Sequence, residues 1–317
     1  MKVLNRTSRP KVLVTRTMPR KLPENLLWDG DVEDFLEQLP PGPLFDLIVS
    51  SPPYNIGKPY ERKAELERYE EWQERVLRKL VARLSSCGSL CWQVGNYVAD
   101  NEILPLDILF HPIMTSLGLK LRNRIIWTFG HGLHTKRRFS GRYEVVLWYT
   151  KGDEYDFDLD AVRIPAKYPG KRSFRGPRQG MLSGNPRGKN PEDVWEFPLL
   201  EIDDVWGNIP NVKSNHVEKT DHPCQFPVGL IERLVLALTK PGALVFDPFA
   251  GVASAGVAAL LHDRRFWGCE VNAKYLAIAH KRLESAAVGD VPFRPHTKPL
   301  YDHTRSTLAL IPSEWKP

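Results

Sequence analysis

The 317-residue chain lacks the sequence features that mark several common protein classes. No apolar stretch approaches the roughly 20 residues that a membrane-spanning helix needs, and no secretory signal pattern is visible. Its four cysteines are scattered, with no CxxC pair and no histidines at zinc-finger spacing. We therefore expect reduced, mostly buried thiols, no zinc or other metal site, no membrane partner and a cytoplasmic location.

Acidic residues are missing from two basic stretches. Residues 1–23 contain no Asp or Glu, and residues 161–190 contain eight Lys or Arg and no acid. With a net charge of +6, this distribution is compatible with a polyanionic partner. We interpret residues 1–24 as a basic N-terminal arm and the second stretch as a source of phosphate contacts. A solvated terminus or loop that binds nothing is the alternative for each stretch, and a transit peptide is a further alternative for the first.

Short apolar runs alternate with helical patterns on either side of an irregular stretch. The predicted strands are 44–49, 89–94, 125–129, 145–149, 243–247 and 266–270, and the predicted helices are 64–84, 228–239, 255–262 and 273–284. This alternation predicts an α/β fold with a mostly parallel sheet and helices on both faces. The divisions are an arm (1–24), a first half (25–152), a Pro/Gly/Arg-rich insertion (153–215), a second half (216–288) and a tail (289–317).

The tetrapeptide Ser51-Pro52-Pro53-Tyr54 directly follows the apolar run Leu47-Ile48-Val49. Each proline fixes its own φ and lacks an N–H, so this strand should end in a stiff, extended ledge. Open α/β sheets bind their ligands at the carboxyl ends of strands. The ledge offers a hydroxyl, bare carbonyls and an aromatic face, which suit a flat heterocycle with an exocyclic amine. A plain Pro-Pro turn is the alternative interpretation.

A second ligand-binding pattern lies near the C-terminal end, where a strand leads through a turn of small residues into a helix. Asp247-Pro248-Phe249-Ala250-Gly251 ends one strand, and Glu270 ends the next about 20 residues later. An acid at that spacing binds both ribose hydroxyls of a nucleotide or nucleoside. No GxxxxGK[ST] or GxGxxG motif is present, and Asp247 would repel a pyrophosphate. The pattern favours a cofactor with an ammonium and a sulfonium, as in S-adenosylmethionine.

Together these motifs resemble the β-group of amino-group DNA methyltransferases, which modify cytosine N4 or adenine N6. In that family a Ser/Asp/Asn-Pro-Pro-Tyr motif comes first, a target-recognition insertion follows, and the cofactor motif comes last. The matching segments are Asp29-Gly30-Asp31, Ser51 to Lys58, His222 to Pro227 and Asp247 to Gly251. The resemblance covers most of residues 27–283 and implies a Rossmann-like methyltransferase fold with S-adenosylmethionine as its cofactor.

The resemblance also assigns roles to individual residues. It implies Ser51, Pro52, Pro53 and Tyr54 as catalytic residues that hold a flipped base. It implies cofactor contacts from Asp31, Asp247, Phe249, Gly251, Glu270, His222 and Pro223. We expect DNA contacts from Lys136, Arg137, Arg138, Lys171, Arg172, Arg175 and Arg178. Helix capping or solvation is the alternative for the three acids, and a core position is the alternative for His222.

One departure and one ambiguity remain open from the sequence. The family usually has a second glycine where this chain has Ala253, and we expect the methyl group there to narrow the approach to the cofactor. A catalytically impaired DNA-binding protein is therefore an alternative. Serine before Pro-Pro-Tyr leans toward cytosine N4, with adenine N6 as the other choice. Double-stranded DNA is the expected partner, and the sequence leaves open both a cognate restriction endonuclease and a homodimer.

Overall fold

The computed structural model describes residues 11–58, 61, 63–99, 102–129, 134–195, 212 and 216–294. Its elements are, in chain order, β1 (Val12–Thr15), β2 (Asn25–Asp29), α1 (Val32–Gln38), β3 (Phe45–Ser50), α2 (Leu66–Arg83), β4 (Leu84–Val94), β5 (Asn96–Ala99), β6 (Glu102–Pro105), α3 (Leu106–Ser116), β7 (Lys120–Thr128), β8 (Tyr143–Thr150), a 3-10 turn (Asp160–Val162), β9 (Val194–Trp195), α4 (Val228–Leu238), β10 (Leu244–Asp247), α5 (Ser254–Leu261), β11 (Arg265–Glu270) and α6 (Ala273–Ala287).

Within these residues, nine strands form one sheet in the order β1-β2-β11-β10-β3-β4-β8-β7-β9. The first six strands in this order, β1, β2, β11, β10, β3 and β4, run parallel to one another. Strand β8 is antiparallel to both β4 and β7. The expected α/β fold with a mostly parallel sheet is confirmed, and β5 with β6 forms a separate hairpin.

Helices cover both faces of the sheet because its strands carry apolar side chains on both sides. Leu47 and Val49 of β3 belong to the core beneath α4, α5 and α6. Phe45 and Ile48 belong to the opposite core, beneath α1, α2 and α3. In this second core the rings of Phe45 and Phe246 stack with centroids 4.3 Å apart, which ties β3 to β10. The sheet edge that carries the motifs is thus held from both faces.

Strands β3 and β10 are neighbours although their last residues are 197 positions apart in the chain. Val245 pairs with Leu47, and Phe246 pairs with Ile48. Because the two strands are parallel, their carboxyl ends meet at one edge of the sheet. The ledge after β3 and the small-residue turn after β10 are therefore side by side.

Several elements differ from the sequence-based expectations. Residues 12–15, expected within a basic arm, form edge strand β1 and pair with β2. The insertion contributes β9, which pairs with β7, and helix α3 was not predicted. Two cysteines are buried, but Cys87 and Cys224 are exposed, so the expectation of mostly buried thiols was wrong. The expected arm residues 1–10, the insertion residues 196–211 and 213–215 and the tail from 295 lie outside the described residues.

Among the described helices, none combines the length and the apolar character that crossing a bilayer requires.

Candidate active site

The tetrad leaves β3 as an extended ledge, and hydrogen bonds fix it on two sides. The hydroxyl of Tyr69, on α2, donates to the Pro53 carbonyl at 2.7 Å. Ser51 Oγ donates to Tyr54 Oη at 3.1 Å, and Tyr54 Oη donates to Gln93 Oε1 at 3.1 Å. Because Gln93 lies on the adjacent strand β4, the tetrad is held against the sheet rather than in a free turn.

The segment after the tetrad is clamped by Asn55, which lies within the matching segment Ser51 to Lys58, and by Glu61, which no sequence motif marks. Asn55 has a φ of 61° and exchanges hydrogen bonds with the Ala64 backbone, at 2.7 and 2.9 Å. The Glu61 carboxylate accepts from the backbone N–H groups of Asn55 and Ile56 at 2.9 and 2.8 Å. Asn tolerates the left-handed region better than most residues, and this preference is the one local signal for such a turn.

A cavity of about 390 Å³ joins the ledge to the cofactor motif. Its walls include all four tetrad residues and, from the cofactor side, Gly30, Asp31, His222, Phe249, Glu270, Val271 and Tyr275. Helix α2 adds Arg68, Tyr69 and Trp72, which sequence reasoning missed because helix residues carry no motif there. The structure therefore brings two distant motifs into one continuous space.

Glu270 lies at the end of β11 with its carboxylate held by backbone N–H groups. It accepts from Asn272 N at 2.7 Å and also from Gly251 N. Burial raises the pKa of Glu270 to about 7, against the lowering effect of these hydrogen bonds. Gly251 has a φ of 53°, and a Cβ there would lie 3.2 Å from His222 Nε2. The left-handed backbone and the nearby His222 ring both favour glycine at this position.

Asp31 combines the capping role with a place in the cavity wall. Its Oδ1 accepts from the backbone N–H of Glu33 at 2.6 Å, which caps α1. The two interpretations of this acid are therefore compatible, because the residue caps a helix whose first turn borders the cavity.

His222 and Phe249 complete the aromatic part of the wall. The His222 ring meets Tyr275 edge to face, with centroids 4.6 Å apart. Burial lowers the pKa of His222 to about 4, so the ring is neutral at pH 7. Phe249 packs between Trp72 and Trp92, at 5.7 and 6.1 Å.

Comparison with known proteins identifies the family. The family model for N6 and N4 enzymes, described as DNA methylase, matches residues 45–281. The type II methyltransferase M.BglII of Bacillus subtilis is 40% identical over 292 residues, which cover 92% of this chain and 77% of that relative. M.ScaI of Streptomyces caespitosus is 36% identical over 267 residues, which cover 83% and 82%.

The chain belongs to the N6/N4 DNA methyltransferase family. A solved structure of a DNA modification methylase from Thermus thermophilus, in complex with S-adenosyl-L-methionine, superposes with a TM-score of 0.57. The match covers 85% of this chain and 96% of that one at 24% identity, and it shows a shared fold. The expectation of an S-adenosylmethionine-dependent DNA methyltransferase is thus confirmed at the level of the family.

The cavity of this methyltransferase fits that cofactor chemically. A flat purine needs apolar and aromatic walls, which Phe249, Val271 and Tyr275 provide. The acids Asp31 and Glu270 suit hydroxyls and a cation, and neutral His222 adds no opposing charge. Pro223 is exposed and is not among the residues that line the cavity, whereas its neighbours His222 and Cys224 are.

The position of Asp247 corrects the expectation that it contacts the cofactor directly. The side chain is fully buried and is not part of the described cavity wall. Its Oδ1 accepts from Ser50 Oγ at 2.5 Å and from Phe249 N at 3.1 Å. Burial raises the pKa of Asp247 to about 7. Asp247 therefore joins the two motifs from behind and acts on the cavity through the backbone of Phe249.

Ala253 also requires a correction, because the position is special for a different reason from the one expected. Its φ of 58° and ψ of 42° lie in the left-handed region, where a Cβ costs roughly 1–2 kcal/mol. The methyl group is fully buried in the core between sheet and helices and does not line the cavity. A glycine is favoured there by backbone strain, and the alanine does not narrow the cofactor space.

The predicted DNA-binding residues lie on two exposed segments. Lys136, Arg137 and Arg138 occupy a loop between β7 and β8, of which residues 130–133 lie outside the described part. Residues 164–189 form a long irregular loop, here called the ribbon, whose two halves meet at two isolated antiparallel bridges, Arg172 with Leu182 and Ile164 with Lys189. Lys171, Arg175 and Arg178 are exposed on its outer part, while Arg172 donates to the Gly180 carbonyl at 2.6 Å.

Three cations at the base of the ribbon are ion-paired with acids outside the acid-free stretch. Arg163 and Arg187 both contact Asp160, and Lys189 contacts Glu192, each at 2.5 Å. These pairs hold the base of the ribbon, so the positive charge available to a partner is concentrated toward its outer end.

We expect Ala253→Gly to leave cofactor affinity within about twofold of wild type, because the methyl group faces the core. The strain relief of roughly 1–2 kcal/mol is offset by a lost buried methyl of about 0.8 kcal/mol and by the flexibility of glycine. The free energy of unfolding should therefore change by less than about 1 kcal/mol. Calorimetric titration with S-adenosylmethionine and urea unfolding measure the two quantities. Cofactor binding tightened more than about tenfold would show that the methyl group obstructs the cavity.

We expect Asp247→Asn to remove a pH dependence of stability. The carboxyl has a pKa of about 7 in the folded chain and 3.8 as its ordinary value, so the folded state holds the proton more tightly. Stability from this group is present below pH 4 and is lost as pH rises through 7, by at most about 4 kcal/mol.

Urea unfolding of wild type and variant between pH 4.5 and 8.5 measures this difference, with Asp290→Asn as a control for an exposed carboxyl. The wild-type advantage over Asp247→Asn should shrink as pH rises toward 7. Parallel curves for the two proteins would contradict the buried, proton-holding carboxyl.

Proposed function

We propose that this methyltransferase transfers a methyl group to the N4 amine of a cytosine in double-stranded DNA. One observation carries the proposal, namely the continuous cavity that joins the Ser51–Tyr54 ledge to the Glu270 side. A base on the ledge and a cofactor on the other side would face each other within one space. The preference for cytosine rests on serine as the first tetrad residue, and adenine N6 is the alternative.

The tetrad would act by positioning the amine. The lone pair of an exocyclic amine is delocalised into the ring, so the nitrogen is a weak nucleophile. Ser51 Oγ and the Pro52 carbonyl would accept its N–H bonds and direct its lone pair toward the methyl carbon. S-adenosylmethionine supplies a methyl group on a positively charged sulfur, which leaves as a neutral thioether with the C–S electron pair. The methylated nitrogen then loses one N–H proton to solvent, which restores its neutral charge.

The target base must leave the duplex, because the stack hides its amine. Tyr54 would stack on the flipped base, a contact worth about 1–3 kcal/mol in comparable base–aromatic pairs. Its ring is half-buried and borders the cavity, and its hydroxyl is held by Ser51 and Gln93. These contacts keep the ring in place before the base arrives.

The ribbon and the 136–138 loop would hold the DNA backbone. Lys171, Arg175 and Arg178 are exposed, which suits contacts that position the duplex without reading its sequence. M.BglII and M.ScaI are named type II methyltransferases, which supports a role beside a cognate restriction endonuclease. A homodimer stays an open proposal.

A catalytically impaired DNA-binding protein was the competing function of another class. The reason for considering that function was the methyl group of Ala253, and this methyl group lies in the core rather than in the cavity. We therefore retain the enzyme as the proposal.

The decisive experiment is methylation of mixed-sequence DNA, followed by digestion to nucleosides and mass spectrometry. We expect N4-methylcytosine, and we expect Ser51→Ala to lose most activity while S-adenosylmethionine binding stays near wild type. N6-methyladenine as the product would overturn the choice of base. If the cofactor binds but neither methylated nucleoside forms, DNA is not the substrate and the proposal is overturned.

We expect Arg175→Ala combined with Arg178→Ala to weaken DNA binding and to reduce its salt dependence. Each lost phosphate contact should lower the slope of log K against log salt by about 0.9. Arg78→Ala with Lys281→Ala removes two exposed cations from helices α2 and α6 and serves as the matched control. Equal slopes for the two double variants would contradict a DNA contact by the ribbon, and cofactor affinity should be unchanged in both.

A further inference from the structure

A chain of hydrogen bonds runs from the tetrad into the sheet and ends at a carboxylate. Ser51 Oγ donates to Tyr54 Oη at 3.1 Å, and Tyr54 Oη donates to Gln93 Oε1 at 3.1 Å. Gln93 Nε2 then donates to Glu144 Oε2. Gln93 lies on β4 and Glu144 on β8, two antiparallel neighbours in the sheet. Neither residue belongs to a motif of the sequence.

The chemistry of these groups permits one direction for the protons. A carboxylate only accepts, so Gln93 must turn its NH₂ group toward Glu144 and its carbonyl oxygen toward Tyr54. The single proton of Tyr54 is then donated to Gln93, and Tyr54 Oη accepts the proton of Ser51. The Ser51 hydroxyl thus keeps its lone pairs for another donor.

We propose that Gln93 and Glu144 are positioning residues that fix the Ser51 hydroxyl as a hydrogen-bond acceptor for the substrate amine. This inference rests on the proposed amino-methyltransferase function. If the chain were reversed, Ser51 would donate its proton toward the amine and would compete with the methyl carbon for the nitrogen lone pair. Glu144 prevents that reversal, although three hydrogen bonds separate it from Ser51.

The surroundings of the chain support this role. Gln93 is 2% exposed and lies one residue before the end of strand β4, where burial leaves its side chain little freedom to turn. Gly95 follows two residues later in the sequence, where a Cβ would lie 3.1 Å from Tyr54 Cε2 and 3.6 Å from Glu144 Cγ. The glycine therefore leaves room for the Tyr54 ring and the Glu144 side chain to take these positions.

The test is a double-mutant cycle on the rate of a single methylation turnover with saturating DNA and S-adenosylmethionine. Glu144→Gln keeps the shape but allows Gln93 to flip, and Tyr54→Phe keeps the ring but breaks the chain. We expect each to slow the turnover by about 10- to 100-fold, as the loss of outer partners that orient reacting groups does elsewhere. Cofactor affinity should stay within about twofold.

The double variant should be no slower than Tyr54→Phe alone, because Glu144 acts on Ser51 only through Tyr54. Two losses that multiply would show that Glu144 acts by another route and would overturn the proposal. An unchanged rate in Glu144→Gln would overturn it as well. Glu154→Gln removes the same charge from an exposed site and controls for non-specific effects on DNA binding.

A neutron structure of the wild-type protein tests the proton directions without any turnover. Deuterons of Ser51 facing Tyr54, and of Tyr54 facing Gln93, would support the proposal. Deuterons in the opposite direction would overturn it. A wild-type protein that methylates no DNA base would instead contradict the proposed function, and the neutron structure would still decide the direction of the chain.

Discussion

The buried hydrogen bond between Ser50 and Asp247 is the contact on which the arrangement of the cavity depends. It joins the last residue of β3 to the last residue of β10, at 2.5 Å, although the two residues are 197 positions apart in the chain. The tetrad begins one residue after Ser50, and the cofactor turn begins one residue after Asp247. The same carboxylate also accepts from Phe249 N, so one buried group sets the relative positions of both motifs. Such a bond in a dry interior is costly to leave half-made, which is why losing either partner matters.

Much of the fold could be predicted because the strands and helices around the motifs have clear local patterns. Strand β3 and the β10–α5–β11–α6 unit were expected nearly to the residue, since apolar runs there end in prolines or small residues. Strand β1 and helix α3 were missed for opposite reasons. The first is a short edge strand inside a basic stretch, and the second contains Pro112 in its interior, which disfavours a helix.

The candidate site divides in the same way between local and non-local information. The tetrad, Glu270 and Asp31 are recognisable because a motif or a spacing marks each one. Gln93 and Glu144 meet only through the antiparallel register of β4 with β8, which pairs Gln93 with Val146 and Trp92 with Leu147. No local pattern specifies that register, because it depends on which side chains of the two strands become buried on each face of the sheet. At Ala253 the sequence marked the right position for the wrong reason, since the backbone conformation was unknown.

Burial of the ionisable groups in and behind the cavity reduces their charge when no cation is bound. Burial raises the pKa of Glu270 and of Asp247 to about 7 and lowers that of His222 to about 4. Each shift favours the neutral form, so the two carboxyls are only partly ionised at neutral pH and the His222 ring is uncharged. A bound sulfonium or ammonium would favour the carboxylate of Glu270, because an opposite charge nearby stabilises the ionised acid. The ribose hydroxyls would donate to the same carboxylate and act in the same direction. Glu270, the acid that the sequence spacing indicated, is therefore suited to ionise when the cofactor binds, while buried Asp247 keeps the two motifs together.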